Sequence, residues 1–186
     1  MKKYLFAILL FASANLFAAN ITVASIVELQ IAIEKAKPGD VIYLKGGVYT
    51  TTSDIVIHKA GTASQPITIA AQNIGATEIT GSGGFRLDSA TSYVIIKGFR
   101  FTHAASKARS MAGSTFCRWT QNIFETPGDG ENLTIAGNDN EVDHNTFQNK
   151  NAMGRFIAIR GSGKQIAERL WIHHNFQLLM ICTINL

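Results

Sequence analysis

Cysteine is scarce in this sequence. Its 186 residues contain two, Cys117 and Cys182, which is too few for the disulfide framework of a small secreted scaffold. The sequence allows one disulfide between these two residues but contains nothing that supports it. A chain of this length suits one domain with a sizeable core, so we expect apolar packing rather than crosslinking to hold the fold.

Strong net charge is also lacking. There are 17 basic and 13 acidic residues, which gives +4, and no arginine-rich run occurs. Nucleic-acid binding is therefore not indicated. Loss of an N-terminal segment that contains Lys2 and Lys3 would leave 15 basic against 13 acidic residues, or +2. That balance tolerates an acidic partner such as a polyuronate without requiring one.

Long apolar runs are absent beyond the N-terminus, and about 18 apolar residues would be needed for a membrane span. The first residues, MKKYLFAILLFASANLFAAN, have the layout of a secretory signal: two lysines, an apolar run from Tyr4 to Ala12, then small residues. We predict a signal peptide over residues 1–19, cleaved after Ala18 or Ala19, with a buried N-terminal helix as the alternative. The mature chain is then exported, periplasmic or extracellular in a bacterium, without a membrane span.

Helical patterning is confined to one segment. Within Ser25–Ala36, Ile26, Leu29 and Ile33 have helical spacing, and KPGD follows as a stop signal. The remainder consists of short strand-like segments separated by Gly, Asn, Ser and Thr. These segments are VIYLKGGVY, DIVIH, PITIAA, TEITG, YVIIKGFRF, NLTIAG, FIAIRG and RLWIHH.

Several of these segments repeat with a constant period. IKGFRF (96–101), WTQNIF (119–124) and VDHNTF (142–147) align without a gap at equal spacing, and LTI (133–135) and FIA (156–158) share that spacing. A fourth copy begins at Ile172, after a longer interval in which GSGKQIAE supplies a plausible insertion. A period of about 23 residues built from strands indicates a solenoid. The leucine-rich-repeat pattern, heptads and paired helices are absent.

We therefore predict an all-β fold: a single right-handed parallel β-helix of six or seven turns, with the N-terminal helix capping its first turn. Neighbouring turns of such a fold lie about 4.8 Å apart, so equivalent residues stack. We expect two inward apolar ladders and one asparagine ladder at a turn where asparagine tolerates left-handed backbone. The ladders are Ile96, Trp119, Val142 and Ile172; Phe101, Phe124 and Phe147; and Asn122, Asn145 and Asn175.

Alternating carboxylates in the stretch NDNEVD raise the question of a metal site. Asp139, Glu141 and Asp143 match the opening of a DxDxDG calcium loop, but the glycine and the closing glutamate of that loop are missing. We interpret the stretch as a strand with Val142 inward and its carboxylates facing solvent. No metal ligand is predicted.

Two histidines hold equivalent places in their repeats, His144 and His174. We expect their rings to stack one turn apart rather than to bind zinc, which would need further ligands. His173 is expected to project to the other face. A phosphate loop at GSGK and a GxSxG nucleophile elbow are both excluded because residues that these motifs require are missing.

Four basic residues stand near predicted strand ends: Arg118, Lys150, Arg155 and Arg160. Solvated positions are the default interpretation of such residues. Contact with an acidic sugar is the alternative, and these four are our candidate substrate-binding residues.

The order of the segments resembles a known family. AIEKAKPGDVIYLKGGVYT, GTASQPITIAAQN, YVIIKGFRFTH, CRWTQNIFE, GNDNEVDHNTFQNKN and RLWIHHN follow one another as in the opening half of polysaccharide lyase family 6, which includes chondroitinase B and alginate lyases. The resemblance runs from about Ile26 to Asn175. The segments RWTQNIFE and GNDNEVDHNTF resemble the alginate lyases more than chondroitinase B.

This resemblance implies β-elimination on uronate polysaccharides, with alginate favoured over dermatan sulfate. In the family, a lysine removes the C5 proton and an arginine assists the leaving oxygen. Calcium, held by an asparagine and two glutamates, neutralises the uronate carboxylate. The matching residues are expected beyond Leu186, so we assign no catalytic residue and expect this chain to bind no calcium.

The C-terminal tail departs from the family pattern. After Asn175 the sequence reads FQLLMICTINL, which is apolar up to the penultimate residue apart from a glutamine and a threonine. We expect residues 20–177 to form the N-terminal part of a β-helix lyase domain, inactive alone, and residues 178–186 to be an aberrant tail from truncation or a frameshift. A noncatalytic β-helix that binds acidic polysaccharide or a surface partner is the alternative, and a nonfunctional remnant is a third reading.

Overall fold

Every turn of the chain contributes strands to parallel sheets that run the length of the molecule. The computed structural model describes residues 18–126, 128–150, 152–161 and 167–178. Over these residues the fold is an all-β right-handed parallel solenoid of about six turns with one short helix, as predicted. Most of the predicted signal peptide, Cys182 and nearly all of the apolar tail lie outside them. Among the described residues, no helix is long and apolar enough to cross a bilayer.

The strands, numbered in chain order, form three sheets in which neighbouring strands pair in parallel. The first sheet contains β1 (Asn20–Val23), β2 (Val41–Leu44), β5 (Ile67–Ala71), β8 (Val94–Lys97), β11 (Arg118–Thr120), β14 (Glu141–Asp143) and β17 (Trp171–His173). The second sheet contains β3 (Gly47–Thr51), β6 (Thr77–Gly81), β9 (Arg100–Phe101), β12 (Ile123–Phe124), β15 (Thr146–Phe147) and β18 (Phe176–Gln177). The third sheet contains β4 (Ile55–Ile57), β7 (Phe85–Leu87), β10 (Ala108–Ser110), β13 (Leu133–Ile135) and β16 (Ile157–Ile159).

The helix α1 (Ile26–Lys35) covers the first turn, as expected of a cap, and contacts β1, β2 and β4. It begins at Ser25, whose hydroxyl accepts a hydrogen bond from the backbone N–H of Glu28 at 3.1 Å. The Glu28 carboxylate also complements the positive end of the helix dipole. Leu29 and Ile33 are buried against the solenoid. Strand β1, which precedes the helix and pairs with β2, was not predicted from the sequence.

The register of the predicted apolar ladders is confirmed, and their members are buried except Ile172, which is 39% exposed in the last described turn. The first consists of register partners in the first sheet, namely Ile96, Trp119, Val142 and Ile172. In the second sheet the rings of Phe101 and Phe124 stack with centroids 5.0 Å apart, and those of Phe124 and Phe147 are 4.9 Å apart. Stacked aromatic pairs contribute roughly 0.5–1.5 kcal/mol beyond the area they bury. These ladders therefore fix both the register and the interior of the solenoid.

The constant period expected from the sequence fails in the third sheet. Leu133 pairs with Ile157 rather than with Phe156, and Ala108 pairs with Leu133. A one-residue slip would turn the strand's inward side chains to the outside, so burial of Leu133 and Ile135 decides the register. The connections between the second and third sheets vary in length, whereas those that lead from β8, β11, β14 and β17 to the second sheet each contain two residues.

The asparagine ladder is confirmed, but its predicted backbone geometry is wrong. Positive φ angles occur at Gln121 (56°), His144 (53°) and His174 (50°), each one residue before the asparagine. The asparagines stack because each side chain bonds the next turn. The Asn145 side-chain amide donates to the Trp119 carbonyl at 2.8 Å, and its oxygen accepts from the Asn122 N–H at 3.0 Å.

Replacement of Asn145 tests how much this ladder stabilises the fold. Asn145→Ala leaves buried N–H and C=O groups of the neighbouring turns without partners, and each such group costs about 1–3 kcal/mol. We expect a loss of about 3 kcal/mol in the free energy of unfolding, measured by urea denaturation. Asn73→Ala, at an exposed turn, is the matched control and should change stability little. Equal effects of the two substitutions would contradict a structural role for the ladder.

Candidate functional site

The outer face of the third sheet carries a ladder of polar side chains. Residues alternate in direction along a strand, so Arg86 of β7, Arg109 of β10 and Thr134 of β13, which are register partners, point outward on successive turns. Arg160 follows directly after β16. Stacking therefore places guanidinium groups of different turns along one face.

A cavity of about 530 Å³ lies on this face. Its lining includes Ser106 and Arg109 from one turn, Glu131 from the next turn and Arg160 from the turn after that. A volume of this size falls within the range of about 300–1,000 Å³ that is usual for small-ligand sites. The third sheet thus presents a concave surface with charged groups at its wall.

Glu131 organises the basic side chains at one end of the cavity. Its carboxylate accepts a hydrogen bond from Arg160 at 2.6 Å and lies 3.5 Å from the guanidinium of Arg155. The hydrogen bond from the Ser106 hydroxyl and that from Arg160 lower the pKa of Glu131 against the opposing effect of burial. One ionised carboxylate therefore faces two guanidinium groups.

The other end of the face follows the same pattern. Arg109 pairs with Asp54, and Arg86 lies 3.3 Å from Asp88 and 3.8 Å from Asp54. Along this whole surface, which we call the arginine face, four arginines thus meet three carboxylates, an excess of one positive charge. The arrangement favours an anionic ligand, because the guanidinium groups are positioned but incompletely neutralised.

The structure brings together two of the four predicted binding residues. Arg155 and Arg160 meet at Glu131, whereas Arg118 belongs to the first sheet and Lys150 donates a hydrogen bond to the Gly128 carbonyl at 3.2 Å. The four residues therefore do not share one surface.

Arg109 and Glu131 are not among the site residues predicted from the sequence. The sequence does contain a signal for Arg109, because it follows Arg86 by one period of the repeat. Their segments were not recognised as strands, and the repeat was therefore not extended to them. Glu131 carried no such signal, because it lies in a connection whose length varies from turn to turn.

Asp143 corrects the expectation that the alternating carboxylates face solvent. Its side chain is fully buried beneath Arg118, which donates two hydrogen bonds to it, from Nε at 2.7 Å and from a terminal nitrogen at 2.6 Å. Burial raises the pKa of the Asp143 carboxyl, but the hydrogen bonds from Arg118 and His144 outweigh this and lower the pKa to about 2. An outward position in a β-helix can thus be closed over by a long side chain from the neighbouring turn.

The predicted stacking of two histidines is confirmed. The rings of His144 and His174 lie 5.3 Å apart and 8° from parallel. The expectation for His173 is wrong, since its ring lies 4.9 Å from that of His174 and 6.2 Å from that of His144. His173 is the register partner of Asp143, so both point outward from the first sheet.

The ligating atoms of Glu141, Asp143 and His173 lie within 4.8 Å of one another, so these residues could hold a metal ion. The group does not fit calcium, which takes six to eight oxygen ligands, because it offers two carboxylates and an imidazole. No step of a calcium-assisted reaction is therefore assigned to it.

Comparison with known proteins identifies the family. The Pel9A-like, right-handed β-helix region family matches residues 12–177, and the chain belongs to it. The chain is also similar to Pectate lyase PEL9 from Emericella nidulans, with 46% identity over 54 residues, covering 29% of this chain and 13% of that protein.

Solved structures share the fold. The PL6 family alginate lyase AlyGC superposes with a TM-score of 0.61 at 24% identity, over 70% of this chain and 19% of that one. The PL6 family polysaccharide lyase Pedsa3628 from Pseudopedobacter saltans gives 0.66 at 17% identity, over 83% and 42%. These identities show a common fold, in agreement with the resemblance seen in the sequence. The chain spans less than half the length of each of these three relatives.

A change at Glu131 tests the electrostatics of the cavity. Because the folded-state pKa of Glu131 is lowered, its contribution to stability is complete above the unfolded pKa of about 4.3 and is lost as the pH falls through the folded value. Glu131→Gln removes this contribution. We expect the variant to be less stable than the wild type by about 1.5 kcal/mol near neutral pH, and the difference to shrink in acid.

Urea denaturation at a series of pH values measures this difference. Glu34→Gln, at a half-exposed carboxylate beside His58, is the control and should show a smaller difference at neutral pH. A Glu131→Gln deficit that stays constant down to about pH 3, well below the unfolded pKa, would contradict the assignment.

Proposed function

We propose that this chain forms part of a polysaccharide-lyase β-helix and binds a uronate-containing polysaccharide along the outer face of the third sheet. The observation that carries the proposal is the cavity lined by Arg109 and Arg160. A polyuronate carries one carboxylate on each sugar, and guanidinium groups bind carboxylates through paired hydrogen bonds.

The geometry of the face supports a polymer rather than a compact anion. Arg86 and Arg109 stand on successive turns, which are separated by about 4.8 Å in a parallel sheet. Arg160 and Arg155 extend the basic surface from the far side of Glu131, and both are more than half exposed. A chain laid along the stack would meet positive groups repeatedly.

The similar proteins favour the same class of ligand. The relatives named above are called a pectate lyase and an alginate lyase, and a further structure of the same fold is described as a mannuronic acid specific polysaccharide family 6 lyase from human gut microbiota, with a TM-score of 0.59 at 21% identity, over 74% of this chain and 36% of that one. We therefore place alginate first and pectate second. Dermatan sulfate ranks below them.

Binding is better supported than catalysis. β-Elimination needs a base near the uronate C5 and neutralisation of the adjacent carboxylate. Arg109 and Arg160 could supply the neutralisation, but the described lining of the cavity contains no lysine, histidine or tyrosine. We therefore keep a noncatalytic polysaccharide-binding role as the second candidate. Export of the chain and the absence of bound calcium remain predictions from the sequence.

Binding to alginate is the direct test of the proposed face. We expect the purified chain to bind alginate in affinity electrophoresis or calorimetry, and more weakly as salt screens the charges. Arg160→Ala should weaken binding about tenfold, the scale of one hydrogen bond to a charged group. Pectate and dermatan sulfate are compared in parallel, and dextran is the neutral control.

Arg169→Ala is the matched control substitution, because Arg169 has a similar exposure and pairs with Asp139 at 2.6 Å on another part of the surface. It should leave alginate binding unchanged. Equal losses in the two variants would indicate a nonspecific charge effect, and no binding of any polyuronate would refute the proposed role.

Lyase activity of the purified chain is a separate measurement. Because the described lining of the cavity contains no lysine, histidine or tyrosine and its two carboxylates, Asp88 and Glu131, are paired with arginines, we expect no unsaturated uronate product, followed by its ultraviolet absorbance, with alginate and added calcium. An active polysaccharide lyase under the same conditions is the positive control. Calcium-dependent product formation by this chain would show that residues elsewhere in it complete an active site.

A further inference from the structure

The first sheet carries a second cluster of chemically reactive groups, on a different sheet from the arginine face. Glu141 and Asp143 project outward from β14, and His173 projects from β17 directly opposite Asp143. We propose that Glu141, Asp143 and His173 form a binding site for a divalent transition-metal ion of the class that includes Zn²⁺.

The distances fit such an ion after a small adjustment. The ligating atoms of the three residues lie within 4.8 Å of one another. Zinc binds imidazole nitrogen and carboxylate oxygen at about 2.0–2.2 Å, so its ligands in a tetrahedral site lie somewhat closer together than this. Glu141 and His173 are both partly exposed, which leaves their side chains room to rotate towards a common ion.

The neighbouring histidine prepares His173 as a ligand. The Nδ1 atoms of His173 and His174 lie 2.6 Å apart, and the Nε2 atom of His173 lies 3.0 Å from a Glu141 oxygen. When the shared proton resides on His173 Nδ1, the lone pair of Nε2 faces the Glu141 carboxylate. A proton or a cation must then stand between them. Metal-bound imidazoles commonly donate their second N–H to a nearby acceptor in this way.

Asp143 retains the capacity to bind a metal although Arg118 already holds it. Its Oδ1 atom accepts the hydrogen bond from Arg118 Nε, whereas Oδ2 accepts those from Thr120 and the terminal nitrogen of Arg118 and also faces His144 Nδ1. Each carboxylate oxygen has about two acceptor positions, and Oδ1 accepts only the hydrogen bond from Arg118 Nε among the described contacts, so one of its positions is left. Arg118 then acts as the outer partner that orients a ligating carboxylate.

The net charge of the cluster favours binding of a divalent ion with moderate affinity. Glu141 and Asp143 bring two negative charges and Arg118 brings one positive charge, so the cluster is net negative with neutral histidines. The imidazole ligand favours zinc, copper or nickel over calcium or magnesium, which prefer oxygen. Water can complete the coordination on the solvent side, where Trp171 is exposed.

Calorimetry with Zn²⁺ on the chain purified without a histidine tag tests the proposal. We expect one Zn²⁺ per chain, and at least a tenfold loss of affinity in His173→Gln and in Glu141→Gln. Substitution with Co²⁺ should give a visible absorption band that His173→Gln abolishes. Circular dichroism establishes whether each variant is folded. If one variant fails to fold, the other still tests the proposed site.

The control is His58→Gln, because His58 is a partly exposed histidine beside a carboxylate, Glu34, at the helix end of the molecule. It should bind Zn²⁺ like the wild type. Binding that His58→Gln weakens as much as His173→Gln, or the lack of any saturable Zn²⁺ binding, would overturn the proposal. Because no polysaccharide is present in the experiment, the outcome does not depend on the proposed function.

Discussion

The alignment of successive turns is the constraint on which the rest of this structure depends. Each turn must place its inward side chains directly above those of the turn before, and the buried asparagine ladder enforces this by hydrogen bonds to both neighbours. Asn145 contacts Asn122 on one side and Asn175 on the other, each at 3.0 Å. Because a buried amide without partners is costly, a turn that slipped by one residue would lose these bonds as well as its apolar contacts.

The same alignment creates the surface chemistry. Outward residues of adjacent turns also stack, so most of the ion pairs among the described residues join different turns. Arg100 bridges Glu78 and Glu125, Arg118 covers Asp143, and Arg160 holds Glu131. Isolated exposed pairs contribute little to stability, but the partly buried ones fix the direction of each side chain. The arginine face of the third sheet and the histidine cluster of the first sheet are both products of this stacking.

The fold could be predicted from the sequence because each turn of the solenoid repeats the same pattern of inward apolar residues. The constant period of the apolar positions was enough to infer the parallel β-helix, the Phe101 ladder and the stacking of His144 on His174. It failed where a contact depends on a connection of variable length, as in the third sheet, where Leu133 pairs with Ile157. The burial of Asp143 could not be predicted from the sequence either. Alternation along a strand shows that a side chain points outward, but it does not show that Arg118 covers it.

The central claim is that the arginine face of the third sheet binds uronate chains. The most direct measurement is a titration of the isotope-labelled chain with alginate oligosaccharides, followed by nuclear magnetic resonance of backbone amides and arginine Nε–H groups. We expect saturable shifts at Ser106, Arg109 and Arg160, with little change at Arg118. Shifts confined to the first sheet, or no shifts at all, would contradict it.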